Sequence, residues 1–249
     1  MESFLNTFLS KKIVDLTHSP DENSPYWPSN GNAGLSICPY NSIEKDRCYS
    51  VNLTMTAGFG THMDAPRHFV KNGRTIAEIE LNRLIGTGVI IDITEKCSSN
   101  VDYEFTIEDI LEFENKFSRI PEESIILLKT GWYKYFGDKE KYYNSNANEF
   151  SEFINVGVMH FPGFSKEAAE FLVKERNCKG IGIDTLSPDK GSSEIFYVHE
   201  ALLNNDKFII ENLNLDGTQD GFCMIICLPL KIKGLSESPV RVLAIYDKK

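Results

Sequence analysis

The sequence predicts an α/β fold built around a mixed β-sheet. Strand-like segments dominate the first half of the 249 residues, whereas strands and helices alternate in the second half. Apolar runs bounded by glycine and polar residues, such as 88–93 and 124–128, indicate strands buried on both faces. No repeat or Pro/Gly-rich linker divides the chain, so residues 1–249 are expected to form a single domain.

The individual elements follow from local patterns. Thr106, three residues before Asp109, indicates the start of a helix, and Ser165 is the expected N-cap of another. A third helix is predicted over 198–203 and a short helical turn over 74–79, while the lysine- and asparagine-rich interval 139–148 suggests a surface loop. Strands are predicted at 13–18, 35–38, 49–55, 88–93, 124–128, 180–185, 208–212, 222–228 and 240–246.

Composition and charge limit the classes of function. With 41% hydrophobic and 25% charged residues the chain has an ordinary globular composition, and its net charge of -10 disfavours nucleic acid and anionic membranes as partners. The six cysteines lie mostly in apolar runs, which predicts buried reduced thiols and a cytoplasmic location. Residues 1–9 lack the pattern of a signal peptide, and no later segment is long enough to span a membrane.

The segment 58–68 holds the densest group of metal-binding and proton-transfer side chains. His62 and Asp64 are one residue apart, so in an extended strand they project from the same face and can bind one cation, for which Zn²⁺ or Mn²⁺ is suitable. Pro66 ends the strand and allows His68 to return toward the same space as a proton-transfer group. A polar strand-to-loop junction, in which both histidines cap carbonyl groups, explains the spacing equally well.

Two distant residues are further candidates for metal ligands. His199 lies near the start of a predicted helix, and Glu211 follows the apolar run 208–210. A carboxylate there is costly to bury unless it is paired, hydrogen-bonded or bound to a cation. The alternative for Glu211 is an edge-strand side chain that faces water. Trp27, on an irregular loop, is either a pocket wall or a core anchor.

Residues 61–68, Thr-His-Met-Asp-Ala-Pro-Arg-His, resemble a family signature. The signature is His-x-Gly-Thr-His-x-Asp-x-Pro-x-His, from the metal-dependent cyclase family that includes bacterial-type kynurenine formamidases and isatin hydrolases. Further similarities follow in the same order at 15–18, 25–28, 162–169, 182–187, 199–203 and 211–213. On these residues the chain is identified as a member of that family.

The resemblance implies a swivelling β/β/α fold, assembly into a homodimer or homotetramer, and one or two divalent cations. It also implies a hydrolase in which metal-activated water attacks a small cyclic amide or N-formyl amide. The implied roles are metal ligands for His62, Asp64, His199 and Glu211, general acid/base for His68, and substrate contact for Trp27 and Phe59.

One signature residue is absent, because Gly58 occupies the position of the first histidine. Catalytic zinc sites normally have three protein ligands, so this loss predicts a weakened first site. Three outcomes are possible. In the first, Asp64, His199 and Glu211 hold a single cation. In the second, His18 or His160 supplies the missing ligand. His18 is expected to be structural and His160 to be the candidate for lining the pocket. In the third case the protein is a catalytically inactive member that binds a small molecule or a partner.

Overall fold

Strands form the largest part of the fold. The structure is a computed structural model that describes residues 10–28, 34–145 and 157–247; the predictions for residues 1–9 and 146–148 lie outside these ranges. In the described ranges the strands are β1 (Lys12–Asp15), β2 (Ser36–Asn41), β3 (Ser50–Thr54), β4 (His62–Asp64), β5 (Ile85–Asp92), β6 (Glu104–Phe105), β7 (Ile125–Lys129), β8 (Gly163–Phe164), β9 (Gly180–Ile183), β10 (Phe208–Glu211), β11 (Gly221–Pro229) and β12 (Glu237–Tyr246).

The helices are short and lie between the strands. In the same ranges the α-helices are α1 (Ile43–Asp46), α2 (Thr94–Ser99), α3 (Ile107–Lys116), α4 (Lys139–Tyr143), α5 (Lys166–Lys174) and α6 (Tyr197–Leu203). Single 3-10 turns occur at Pro66–His68, Ile76–Glu78, Leu81–Arg83 and Trp132–Tyr135.

The main sheet is mixed and closes on itself. Its strand order is β1-β12-β11-β5-β7-β9-β10-β4, and β4 also pairs with the start of β12. Strands β5, β7, β9 and β10 run parallel, whereas β4, β11, β12 and β1 are joined by antiparallel pairings. The prediction of an α/β fold with a mixed sheet is therefore confirmed, and the sheet forms a barrel.

The parallel part of this sheet is buried on both faces, as the apolar runs predicted. Val89 and Ile91 pack into a core beneath helices α3, α5 and α6, whereas Ile90 between them packs into a second core on the opposite face. Strand β7 alternates in the same way, with Leu128 in the first core and Leu127 in the second. Successive side chains of each strand point to opposite faces, so the sheet packs against a hydrophobic layer on each side.

The predicted helix starts are also confirmed. The Asp109 amide donates to Thr106 Oγ1 at 3.3 Å, and the Thr106 amide donates back to Asp109 Oδ2 at 2.7 Å, which completes a capping box. At α5 the Ala168 amide donates to Ser165 Oγ at 3.1 Å. These bonds satisfy amides that have no partner inside the helix.

The described part of the interval 139–148, residues 139–145, differs from its prediction as a surface loop. Residues Lys139–Tyr143 form α4, and the side chains of Tyr142 and Tyr143 are buried. The Tyr142 hydroxyl donates to Asn212 Oδ1 at 2.7 Å, directly beyond β10. The two tyrosines supply buried apolar area and a hydrogen-bonding group. The charged and polar residues around them in the sequence made the segment resemble a surface loop.

A hairpin of β2 and β3 pairs with neither of the other sheets. It carries the exposed thiols of Cys38 and Cys48, whereas the four other cysteines are buried or half-buried; all six are free thiols. Among the described residues no helix combines the length and hydrophobicity required to cross a bilayer.

Candidate metal centre

Strand β4 places its polar side chains between two neighbouring strands. His62 lies opposite Glu211 of β10, and Asp64 lies opposite Glu237 of β12. Directly opposed residues project from the same face of a sheet, so these four side chains share one face. Met63 between them points into the core on the other face and is fully buried.

The loop before β4 is held by hydrogen bonds that fix the His62 ring. His62 Nδ1 lies 2.9 Å from the carbonyl oxygen of Gly60, which leaves Nε2 facing the shared side of the strands. Gly60 has a φ of 67°, a conformation that glycine adopts without steric cost. Asn212 Nδ2 donates to the same carbonyl at 3.0 Å, and Thr61 Oγ1 donates to the Asn212 carbonyl at 2.6 Å.

A buried carboxylate orients His199, which lies on α6. His199 Nδ1 is 2.6 Å from Asp189 Oδ2, a geometry in which Nδ1–H donates to the carboxylate. Asp189 Oδ1 accepts from the Val198 amide at 2.7 Å and so ties the carboxylate to the helix start. Metal-binding histidines usually have this arrangement: one ring nitrogen is hydrogen-bonded to a carboxylate, and the other ring nitrogen is directed at the metal.

The four predicted metal ligands converge. His62 Nε2 lies 3.2 Å from Glu211 Oε2, and His199 Nε2 lies 3.2 Å from Glu211 Oε1. The same two nitrogens lie 3.5 Å from Asp64 Oδ1 and Oδ2 respectively. Two imidazole nitrogens therefore face two carboxylates, and all four side chains are buried.

These residues fit a divalent cation. Asp64 is only 1% exposed, yet its Oδ1 has no hydrogen-bond partner among the described residues. A buried carboxylate oxygen without a donor is costly unless something else binds it. Imidazole nitrogens and carboxylate oxygens are the donors that Zn²⁺ and Mn²⁺ accept.

The buried carboxylates of the centre favour positive charge on the groups around them. Burial by itself lowers the pKa of His62, but Glu211, with smaller effects from Asp64 and Glu237, raises it to about 10. Burial likewise opposes the charged form of His199, yet its hydrogen bonds to Asp189, Asp64 and Glu211 raise its pKa well above the ordinary value. The carboxylates thus hold protons on both rings, and a divalent cation supplies equivalent positive charge.

The centre opens into a cavity of about 500 Å³. His68, on the turn Pro66–His68, is at its edge, with Nδ1 3.4 Å from Glu237 Oε2. Three aromatic rings form the wall: Trp27 meets Phe196 edge-on at 5.7 Å, and Phe196 meets Phe69 in the same way at 5.8 Å. A floor of imidazole and carboxylate groups that could hold a cation, with aromatic walls, suits a planar ligand that carries a carbonyl group.

The structure brings together all the sequence-predicted site residues except one. The cavity is lined by His62, Asp64, His68, His199, Glu211, Trp27 and Gly58. Phe59 does not line it: the side chain is 1% exposed, and its ring lies 6.0 Å from that of Tyr26. The aromatic positions belong to Phe69 and Phe196 instead.

Neither remaining histidine reaches the cavity. The His18 ring stacks on Phe136 with centroids 3.9 Å apart, in agreement with a structural role. His160 Nδ1 lies 2.8 Å from Asp102 Oδ2, and His160 is not among the lining residues, so its prediction as a pocket residue is wrong. Neither ring is therefore placed to supply the ligand that the resemblance implies at position 58.

Two residues of the centre were missed by sequence reasoning. Asp189 reaches His199 across the loop that precedes α6, and Glu237 reaches the site only because β12 pairs with β4 when the barrel closes. Glu237 opens a mostly apolar strand, which is a weak signal. Nothing in its local sequence distinguishes it from a solvent-facing glutamate.

Comparison with known proteins agrees with this fold. The family model described as Cyclase matches residues 14–190, and the chain therefore belongs to the cyclase family. The chain is 27% identical to a kynurenine formamidase of Bacillus cytotoxicus over 92% of its own length and 95% of that protein.

Solved structures give the same relationship. Isatin hydrolase A from Labrenzia aggregata superposes with a TM-score of 0.88 at 30% identity, covering 99% of each chain. A second structure, described as a potential metal-dependent hydrolase with cyclase activity, has a TM-score of 0.71 at 25% identity and covers 96% of this chain and 99% of the other.

Proposed function

We propose that this chain is a metal-dependent hydrolase that cleaves the C–N bond of a small cyclic amide or N-formyl amide. The observation that carries the proposal is the convergence of His62 Nε2 and His199 Nε2 on the carboxylates of Asp64 and Glu211, at 3.2–3.5 Å. The names of the relatives, a formamidase and an isatin hydrolase, support amides of these two types as the substrate class.

Zn²⁺ or Mn²⁺ is the cation that this donor set suits, with His62, Asp64, His199 and Glu211 as its ligands. A bound divalent cation supplies Lewis acidity, which polarises a carbonyl group and makes water more acidic. The protein contributes ligand geometry, because Gly60 and Asp189 fix the Nδ1 side of the two rings. Both Nε2 atoms are thereby directed to the same space before any ligand binds.

His68 is the group that we assign to proton transfer. Its Nδ1 faces Glu237 Oε2 at 3.4 Å, so Nε2 is the atom placed to accept a proton and return it to the leaving nitrogen. The side chain of His68 is 30% exposed, so it can contact both substrate and solvent. Trp27, Phe69 and Phe196 would hold an aromatic substrate against the centre.

The test is hydrolysis of N-formylkynurenine and of isatin by protein loaded with Mn²⁺ or Zn²⁺. We expect turnover of at least one substrate, and a His68→Gln variant that loses about 10²–10⁴-fold in kcat while it keeps its metal content. His160→Gln is the matched control, since His160 pairs with Asp102 outside the cavity. Fully loaded protein that hydrolyses neither substrate would favour the alternative, an inactive member that binds a small molecule or partner.

A further inference from the structure

We propose that Glu237 is the third protein ligand, with His62 and Asp64, of a cation site for which Gly58 provides the space. The inference rests on the proposed function, because it refines how the same centre holds its metal. It answers the question raised by the glycine at position 58, where a side-chain ligand was expected.

Glu237 is positioned by strand pairing and not by chance contact on a loop. It is the first residue of β12 and lies directly opposite Asp64 of β4. The next residue, Ser238, lies opposite Met63 on the other face and is fully buried, which fixes the register. One ligand atom from each of His62, Asp64 and Glu237 lies within 4.8 Å of the others.

The backbone at Gly58 opens onto the Glu237 carboxylate. A Cβ atom at position 58 would lie 2.3 Å from Glu237 Oε1 and 3.2 Å from His62 Nε2. Glu237 Oε1 therefore fills the volume in which any larger residue at position 58 would begin. Gly58 and Glu237 are complementary, since the absence of one side chain makes room for the other.

The ion pair with His68 does not account for this placement. His68 Nδ1 is 3.4 Å from Oε2, a long contact, and it leaves Oε1 on the side of His62. Glu237 also stands beside two other acids, Asp64 and Glu211, which is unfavourable without a cation among them. The buried Asp64 Oδ1, which accepts no hydrogen bond from the described residues, belongs to this cluster.

The ligand chemistry determines which cation the site prefers. One imidazole and two carboxylates make a harder donor set than two imidazoles and one carboxylate. Harder oxygen-rich sets suit Mn²⁺, whereas an additional imidazole favours Zn²⁺. The Glu237 site is accordingly expected to prefer Mn²⁺. Asp64 has two oxygens, so it can be a ligand both at this site and at a site formed with His199 and Glu211.

The first experiment measures Mn²⁺ binding to metal-free full-length protein by calorimetry. We expect Glu237→Gln to lose one Mn²⁺ per chain or at least about 10-fold in affinity, as a lost ligand should cost no less than a lost supporting group. Glu108→Gln, an exposed residue of α3 with the same change of charge, is expected to bind as the wild type does. An isotherm for Glu237→Gln that matches the wild type overturns the inference. No binding to the wild type would instead refute the proposed function.

The second experiment exchanges the two positions. In Gly58→His/Glu237→Ala an imidazole replaces the carboxylate, and we expect the ratio of Zn²⁺ to Mn²⁺ affinity to rise at least about 10-fold above that of the wild type. Gly58→His alone should bind less tightly than the exchanged pair, because its side chain collides with Glu237. Circular dichroism verifies that each variant is folded. An unchanged Zn²⁺/Mn²⁺ ratio in the folded double variant contradicts the assignment, because a purely structural Glu237 would leave that ratio unaltered.

Discussion

At the scale of single residues, Asp64 is the side chain that links the two halves of the centre. Its two oxygens each lie 3.5 Å from an imidazole nitrogen, one from His62 on its own strand and one from His199 on α6. Its pKa is held low, because the neighbouring imidazolium groups outweigh the effect of burial, which raises it. Asp64 therefore stays ionised and available as a ligand.

Replacement of Asp189 tests how much the orientation of His199 matters. In Asp189→Asn the buried partner of Nδ1 loses its charge, and we expect about 10–100-fold weaker metal binding with little change in the fold. Asp102→Asn is the control, since Asp102 forms an equivalent pair with His160 outside the cavity. Calorimetry on both variants measures the difference. Equal affinities in the two variants would show that the Asp189 contact does not serve the metal.

His18 predicts a specific loss of stability in acid. Burial of its ring against Phe136 lowers its pKa from 6.5 to about 4. The unfolded chain therefore binds the proton first as the pH falls below 6.5, so the contribution is complete above 6.5 and is lost as the pH approaches 4. Because the ring is part-exposed, we expect a cost of about 1–2 kcal/mol at pH 5.

Urea unfolding at pH 7 and pH 5 measures this cost. His18→Phe keeps the stacking on Phe136 and removes the titrating group, so its free energy of unfolding should fall less than that of the wild type. His160→Gln, at the other histidine outside the cavity, should behave like the wild type. Identical falls in wild type and His18→Phe would contradict the assignment of a suppressed pKa.

The sequence allowed prediction of the four converging side chains but not of Asp189 and Glu237, which lie beside them. His62, Asp64, His199 and Glu211 were recognisable because spacing, apolar context and the signature all pointed to them. Asp189 and Glu237 act through contacts that only the folded chain creates. Phe59 and His160 were misplaced for the same reason, since neither pattern nor composition specifies the side to which a loop residue points.

At the scale of elements, close pairing of strands positions the centre. Strand β4 brings His62 and Asp64 to the other candidate ligands only because β10 and β12 flank it on both sides. Strand β10 in turn is fixed against β9, where Phe208 lies beside Gly180. A Cβ atom at position 180 would lie 2.5 Å from the Phe208 carbonyl oxygen, so glycine is required for this approach.

Gly180→Ala should therefore destabilise the sheet. We expect a loss of about 1–3 kcal/mol in the free energy of unfolding, because the backbone of β10 must move to accept the methyl group. Gly137→Ala is the matched control, since a Cβ there meets nothing within 4 Å and its φ is not positive. Chemical denaturation measures both variants. A Gly180→Ala protein as stable as Gly137→Ala would show that the two strands are less closely packed.

Strands were predictable from sequence to the extent that burial governs them. The apolar runs at β5 and β7 are buried on both faces, and this environment leaves a clear compositional pattern. Helix α4 left no such pattern, because Glu140 and Lys141 are exposed while Tyr142 and Tyr143 pack inward. Five residues are too few for a helical period to emerge from such a mixture.

At the scale of the whole molecule, the hairpin of β2 and β3 exposes a group of apolar side chains among the residues that the structure describes. Ile37 and Leu53 lie opposite each other on it and are 44% and 55% exposed. Tyr40 and Tyr49 are each 61% exposed. An apolar pair on a hairpin outside the main sheet is typical of a surface covered by another subunit.

We therefore expect the protein to be a homodimer or homotetramer in which this hairpin contacts a second copy. Leu53→Glu should shift the assembly toward monomer, since it places a charge in an apolar contact. Val101→Glu, at a residue of similar exposure elsewhere, should leave the assembly unchanged. Light scattering coupled to size-exclusion chromatography gives the mass of each variant. Wild-type protein that elutes as a monomer, or a Leu53→Glu variant that stays assembled, would contradict this role of the hairpin.

We propose that the closed sheet gathers distant side chains around a divalent cation. Anomalous diffraction from crystals of the full-length protein grown with Mn²⁺ tests it most directly. We expect a manganese peak within coordination distance of Asp64, with His62, His199 and Glu211 among the contacts. A map from Mn²⁺-saturated crystals with no peak at these residues would contradict the metal centre and the hydrolase proposal with it.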